Sequence, residues 1–586
     1  MEMICHDPWA IAHFVDQRYS LYTHHYLMKR QYTLLLLLAM TLLGVATQTK
    51  AQAPLMEPSI DLTFITDDEN ASLLIGVVAP VDGCWIDLNG DGQCQDNEKI
   101  LKGKEKRPID LPKDLPHTTI YGPITYLNLN RTALTAIDLS KINTLEELWC
   151  YQTGIMELDV TGQPNLNKLF CHSNMIKELD LSKNPKLREL GVQNSMLTAI
   201  DLSKLPELEV AVLSGNKIST LDLTHNPKLR ILHAEKMQLT SLDLSKCPEL
   251  TLIQCSQNYD LKTVDLSMLP NLEVFKADLI GMKSLDVSHN PKLKQLHLGG
   301  NNLTTLDLSK NPLLEELNLN LNKKLSSLDF LSDLPELKMI TIKKINFDFD
   351  PDFSKNTKLE YINMANCGFK KLDLSHNSMI KKLYCEGNEL TELDLTKTPK
   401  LVDLIAFENK LTKLDFSACK QLQYADISVN AIDEHAMQVI VESIPKFKLL
   451  DPTFLAAGRF IAIDIAEAEE KNDITDRQVK VATDKGWVLM NGNAGDPQPY
   501  PGRSTVSVTQ LTTAETAIYY NAADERLYVR LAEDMPATLL KVYAASGEEL
   551  LSEVYDQDDS SIYVGYLPQG AYIVQVGDAT YKFVKR

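Results

Sequence analysis

Residues 166–185 read LNKLFCHSNMIKELDLSKNP. The pattern behind this stretch, LxxLxCxxNxLxxLDLSxNP, recurs from about Thr125 to Asn430. Its Asp stands at positions 138, 159, 180, 201, 222, 243, 265, 286, 307, 329, 352, 373, 394 and 415. Those fourteen positions lie 21 residues apart, stretched to 22 or 23 at three junctions. A fixed period of this length over more than half a chain is the signature of a solenoid. Each LxxLxC segment predicts a short strand with inward leucines, the following Asn turns the chain and bonds backbone groups of its neighbour, and LxxLDLS closes the coil. One coil cannot bury its leucine face alone, so the coils must stack. Fourteen strands at about 4.8 Å spacing predict a concave parallel sheet roughly 65 Å long, a surface suited to a macromolecular partner.

Carried by these motifs, the chain resembles the leucine-rich repeat family, in the short 21- to 22-residue bacterial form of internalin-like, internalin-J-like surface proteins. The expected fold class is an α/β-type leucine-rich repeat solenoid, β-dominated with short 21-residue coils, flanked by a small N-terminal β module and a C-terminal β-sandwich. The resemblance implies a surface-exposed protein of a Gram-negative bacterium that acts by binding, in adhesion or biofilm interactions. Its partner would be a protein or glycan ligand on host or neighbouring bacterial cells. The alternative is a secreted, non-anchored inhibitor or scaffold that binds a host or bacterial protein.

The strand segments predict one outward side chain per coil: Trp149, Phe170, Gly191, Val212, His233, Gln254, Lys276, His297, Asn318, Thr341, Asn363, Tyr384, Ile405 and Asp426. The row two residues later adds Tyr151, His172 and Phe407, and the row two earlier adds Ile231, Leu252, Met339, Tyr361 and Tyr424. Two aromatic clusters result, Trp149, Tyr151, Phe170 and His172 at one end and Tyr361, Tyr384, Phe407 and Tyr424 at the other, with a polar, weakly basic centre. Exposed aromatic groups are the material of binding hot spots; the competing reading is that each end is covered by its flanking cap. No catalytic constellation emerges. His233 and His297 are three rungs apart, roughly 14 Å, too far for a shared proton relay or metal. The Asp of DLS recurs in every coil, which marks it as structural, an acceptor of backbone hydrogen bonds at the turn. No GxSxG, HExxH or phosphate-cradling glycine loop is present, so the chain is read as a binding protein and not an enzyme.

Composition agrees. The 586 residues carry 59 basic and 79 acidic side chains, a formal charge of −20, with 44% apolar residues and ten cysteines. That apolar content excludes a disordered polymer, the sparse cysteines exclude a disulfide miniprotein, and the acidic balance opposes nucleic-acid binding. Length alone suggests roughly four globular domains at about 150 residues each, which the repeat replaces by one solenoid. Cys150, Cys171, Cys255, Cys367 and Cys385 fall at inward strand positions or their edge, and Cys247 and Cys419 replace the Asn of SKNP; all read as buried, reduced core filler. A metal site lacks CxxC or Cys/His spacing, and a Cys150–Cys171 disulfide on adjacent rungs would have poor torsions.

Residues 28–53, MKRQYTLLLLLAMTLLGVATQTKAQA, read as a secretory signal peptide, with an apolar run too short to cross a bilayer. Residues 1–27 precede it as a non-native or untranslated extension, and no other apolar stretch is long enough for a transmembrane span. The expected localisation is the cell surface, at the outer membrane exterior, or the medium. Residues 54–124 form the N-terminal module. In it Asp87, Asn89, Asp91, Gly92 and Glu98 satisfy the DxNxDGx5E spacing of a calcium loop, which would bind structural Ca2+. The flanks depart from that motif: VDGCWIDL reads as a strand and Cys94 takes a usually aliphatic position. An acidic glycine-rich hairpin and a small loop closed by a Cys84–Cys94 disulfide are the alternatives. After the solenoid (125–430) come a terminal cap (431–490), with a helix, a strand and a second helix, and a linker (491–515) rich in Gly, Pro and Asn. Residues 516–586 alternate as RLYVRL, LLKVYAASGEEL and AYIVQV, predicting a small antiparallel sandwich. Through KVYAASGEEL (541–550), YLPQGAYIVQV (566–576) and KFVKR, this piece resembles the sorting domain of type IX secretion cargo. That implies passage through the type IX machinery and removal of the domain; an ordinary adhesive module is the alternative.

Overall fold

The computed structural model describes residues 59–64, 74–103, 106–112, 115–446, 458–492 and 497–503, together with the β-strands between 517 and 585 and short segments beside them. The expected signal peptide and the extension before it lie outside the described residues.

Fifteen three-residue strands run from Tyr126–Asn128 to Tyr424–Asp426, one per coil. They pair in parallel and in register, so that Leu148, Leu169 and Leu190 stand side by side, as do Trp149, Phe170 and Gly191. The middle residue of each strand is inaccessible and the two beside it face outward. Period-two alternation thus lays one apolar residue per coil into a continuous core, leucine or isoleucine except at Ala211, Phe275 and Ala425, with an outward side chain on either side of it.

Two columns of asparagine fasten the coils. In the first, Asn174 donates its side-chain amide to the carbonyls of Cys150 and Cys171, both at 2.8 Å, and its oxygen accepts the N–H groups of Thr153 and Gly154. Asn216, Asn258, Asn301, Asn322, Asn388, Asn409 and Asn430 repeat the donor pair. Just before this column each coil holds one residue in the left-handed region, such as Ser173 (φ 55°), Lys236 (φ 51°) or Gly215 (φ 72°). At Gly215 the space is also closed, since a Cβ would lie 2.2 Å from Asn194 Oδ1. The second column holds the Asn of SKNP. Asn184 donates to the carbonyls of Val160 and Gln163 at 2.8 and 2.9 Å. Here the side-chain oxygens of Asn184, Asn226, Asn290, Asn311, Asn356 and Asn377 are buried without a hydrogen-bond partner among the described residues. Cys247 takes this slot with a weaker bond, its thiol 3.6 Å from the Leu223 carbonyl.

The DLS aspartates stay exposed and accept the N–H two residues on, as Asp180 does from Ser182 at 2.8 Å and Asp307 from Ser309 at 2.9 Å. Asp329 differs, because it opens a 3-10 turn over Asp329–Asp333 in the longest of the coils. Cys150, Cys171, Cys255 and Cys385 are buried at the column just after the outward row, and all nine described cysteines are free thiols. Cys367 departs from the expected slot: it stands in the first asparagine column, where its thiol reaches the Ile342 carbonyl at 2.8 Å.

On the N-terminal side, Leu74–Val78 pairs antiparallel with Arg107–Asp110 and with Tyr126–Asn128, so the module extends the solenoid sheet directly. A second sheet pairs Ser59–Phe64 with His117–Tyr121 and with Leu134–Asp138, the latter from the first coil. On the other side lie α1 (Glu434–Ser443), capped by Asp433, and α2 (Asp476–Thr483), capped by Thr475 with Gln478 in a reciprocal capping box. Strands Gly458–Ile463 and Trp487–Asn491 continue the parallel sheet beyond Tyr424–Asp426. Part of the expected linker is built in: Gln498–Pro499 pairs with Met490 and Asn491, and Arg503 bridges Asp473 and Glu434 at 2.9 and 2.8 Å. The C-terminal strands form two antiparallel sheets, one of Ala517–Asn521, Arg526–Arg530 and Ser561–Tyr563, the other of Thr538–Ala544, Glu549–Tyr555, Gly570–Val576 and Ala579–Lys585. No helix among the described residues is long and apolar enough to cross a membrane.

Candidate functional site

The outward face of the sheet carries the expected aromatic groups, and at one end they are ordered against each other. Trp149 and Phe170, neighbours in register, stack with centroids 4.3 Å apart and planes at 20°. Tyr151 and His172 do the same at 4.2 Å and 10°. Lys106, from the N-terminal module, sits with its ammonium 4.1 Å above the Tyr126 ring, 5.8 Å from that of Trp149 and 2.9 Å from the Glu147 carboxylate. The Trp149 indole N–H also points at Glu147, 3.3 Å away. Phe170 leans over the next rung, where Gly191 leaves room: a Cβ there would lie 2.5 Å from the Phe170 ring. Burial in this patch pulls the His172 imidazole down to about 4, so it is neutral at physiological pH. The four aromatic residues are half-buried and stacked in pairs, a preordered patch.

At the other end, Tyr361 and Tyr384 meet edge to face at 5.3 Å and 80°, and the Asn363 side-chain amide donates to the Tyr361 hydroxyl at 3.1 Å. Phe407 and Tyr424 stand half-buried on the next two coils. Burial lifts the Tyr424 phenol to about 12. The cap strands continue this sheet without removing these four residues from its outward face.

The centre is not merely polar and weakly basic. Between the two clusters the leading row is apolar in four consecutive coils, Val210, Ile231, Leu252 and Val274, all half-exposed. The trailing row adds the carboxylates Glu235 and Asp278. Asp278 accepts the Gly299 N–H at 2.6 Å and lies 3.3 Å from the Ser256 hydroxyl. His297 is buried and bonded to Glu316 at 2.7 Å, while burial, with Lys276 nearby, lowers His233. Val210 and Val274 share the leading row with Ile231 and Leu252, and Glu235 and Asp278 share the trailing row with Tyr151, His172 and Phe407; the repeat period of 21 or 22 residues is the sequence signal that places them there.

Of the acidic loop, Asp87 and Glu98 are buried and hold backbone: Asp87 accepts the Gly90 N–H at 2.7 Å and Glu98 the Leu88 N–H at 2.8 Å. Residues 91–95 group apart from the other described residues. Within them Asp91 accepts from the Gln93 N–H at 2.8 Å and the Gln95 amide at 2.9 Å. Asn89 is exposed in the turn between. Cys84 is buried and Cys94 exposed, each a free thiol. Among the described residues no three His, Cys, Asp or Glu side chains are grouped as metal ligands.

Parallel three-residue strands at one per 21 residues, inward leucines and an asparagine column bonding coil to coil decide the architecture. The fold is a leucine-rich repeat solenoid. No family model matches the chain, and no curated protein matches it in sequence. Solved structures similar to this solenoid include the functional domain of InlJ from Listeria monocytogenes, which includes a cysteine ladder. It is 23% identical, covers 75% of this chain and 90% of that one, and has a TM-score of 0.46. The internalin InlF from the same organism matches at 18% identity over 52% of this chain and 86% of that one, with a TM-score of 0.42. YopM from Yersinia enterocolitica matches at 21% identity over 55% and 69%, with a TM-score of 0.43. At this level the likeness is one of fold.

Proposed function

We propose that this leucine-rich repeat protein acts by binding a macromolecule on the outward face of its sheet. In this reading it is exported to the cell surface and mediates adhesion or biofilm contact with a protein or glycan ligand on host or neighbouring bacterial cells. The observation that carries it is the pair of aromatic clusters on one continuous face, with Trp149 on Phe170 and Tyr151 on His172 already stacked. Rings held in place before binding lose little side-chain freedom when a partner arrives, which is how aromatic anchors dominate interface energies. The internalin-like solenoid and the resemblance of 541–550 and 566–576 to a type IX sorting domain support export. The alternative, a secreted inhibitor or scaffold, shares the binding face and differs in anchorage. Fractionation separates them: mature protein found wholly in the medium contradicts the anchored adhesin. Deleting 516–586 is expected to trap the protein inside the cell envelope if that segment is the sorting signal.

For the acidic loop we infer a backbone-holding role for Asp87 and Glu98, with structural calcium through Asp87, Asn89, Asp91 and Glu98 as the alternative. A melting temperature unchanged by EDTA supports the first; a fall of several degrees, restored by added calcium, supports the second.

A further inference from the structure

The centre of the sheet face combines an apolar row on one flank with carboxylates on the other. Val210, Ile231, Leu252 and Val274 are adjacent in four parallel strands, each only half-buried. On the opposite side of the middle row stand Glu235 and Asp278, two strands apart, or about 10 Å. The Glu235 carboxylate has no hydrogen bond or ion pair among the described residues, and burial raises both carboxyl groups above their ordinary range. Lys276, on the middle row, offsets one of these two charges. Lys236 and His297 also act on Glu235 from a distance, but none of these cations pairs with its carboxylate among the described residues. A half-buried carboxylate without a partner is a standing cost that an incoming cation would relieve.

Resting on the reading that this face binds a partner, we infer that its centre docks an extended polypeptide segment in which apolar residues alternate with lysine or arginine. An extended segment laid along the middle row sends successive side chains to opposite flanks. Its apolar set meets Val210, Ile231, Leu252 and Val274, and its basic set meets Glu235 and Asp278. The side-chain amide of Gln254, between them, is placed to bond its backbone. Glycans and acidic segments fit poorly, because the first lack cations and the second meet like charge.

A random 12-residue peptide library displayed on phage, panned on the folded full chain, tests this. Enriched peptides are expected to carry Lys or Arg alternating with Val, Ile or Leu. Their synthetic forms should bind about tenfold or more weaker to Glu235→Gln/Asp278→Asn and to Leu252→Ser. Asp180→Asn/Asp201→Asn, which removes the same charge from the exposed turns, should leave binding unchanged; melting curves confirm that each variant folds. No enrichment, enrichment of acidic peptides, or equal loss in the turn variant overturns the inference. Cell adhesion intact in Glu235→Gln/Asp278→Asn but lost in Trp149→Ala overturns it too, while leaving the binding role of the face standing.

Discussion

Single residues in this solenoid are chosen by which backbone groups they must satisfy. Asn258 makes three bonds, to the carbonyls of Ala234 and Cys255 and from the Leu239 N–H, whereas Asn290 makes two and leaves its own oxygen orphaned. Asn258→Ala should therefore cost about 3 kcal/mol, and Asn290→Ala about 1 to 2, since the second also removes an unsatisfied buried oxygen. Thermal or denaturant melting of the two variants checks the order. Gly191→Val should displace the Phe170 ring, lowering partner binding while leaving the inward Leu190 untouched. Glu386, whose Oε2 is buried without a partner and whose carboxyl is raised by burial, should give a more stable protein as Glu386→Gln at neutral pH, by about 1 kcal/mol. The repeated leucines and aspartates were legible as a period, and the Asp was legible as a turn acceptor. The orphaned oxygens and the slot of Cys367 were not, because which carbonyls a side chain reaches depends on how consecutive coils overlay.

At the scale of the element, the strands are too short to hold register by pairing alone, and charge supplements them. Just before the strands, Glu273, Lys294, Glu315, Lys338, Glu360 and Lys381 alternate in sign down six coils. Lys294 meets Glu273 at 2.7 Å, Lys338 meets Glu315 at 2.7 Å and Lys381 meets Glu360 at 2.6 Å. Each exposed pair is weak, but a slip of one coil would set like charges together. Salt is accordingly expected to lower the melting temperature modestly, and Lys338→Glu, which places three carboxylates in sequence, to lower it more at low salt than at high. The cap was legible as helix, strand and helix. Its strands' continuation of the parallel sheet was not, since Gly458–Ile463 and Trp487–Asn491 lack the LxxLxC spacing and join through tertiary pairing.

For the whole molecule, two opposed sets of carboxyl groups set the response to pH. The DLS aspartates, held below their ordinary range by hydrogen bonds from the residue two positions on, contribute stability present above their unfolded-state pKa and lost as pH falls through their depressed values. Asp426 is raised to about 6, by burial first, with Asp464 and Glu386 adding. Its contribution is full below its unfolded-state pKa and is lost as pH rises through about 6. Melting temperature against pH should thus peak at about pH 4 and decline from there to about pH 6, and Asp426→Asn should flatten that decline. The solenoid and its two aromatic clusters were legible because a 21-residue period projects each outward residue into a column. The same period holds the acidic and apolar flanks of the centre, while the burial of Glu235 and Asp278 depends on how consecutive coils overlay.

If the outward sheet face is the binding surface, the adhesion of purified full-length protein to host cells and to bacterial biofilm depends on its aromatic groups. The measurement compares the native chain with a Trp149→Ala/Phe170→Ala/Tyr384→Ala variant of matched melting temperature. Binding is expected to fall by at least about tenfold, the loss that follows when anchoring aromatic groups are truncated. Undiminished adhesion by a folded variant would contradict it.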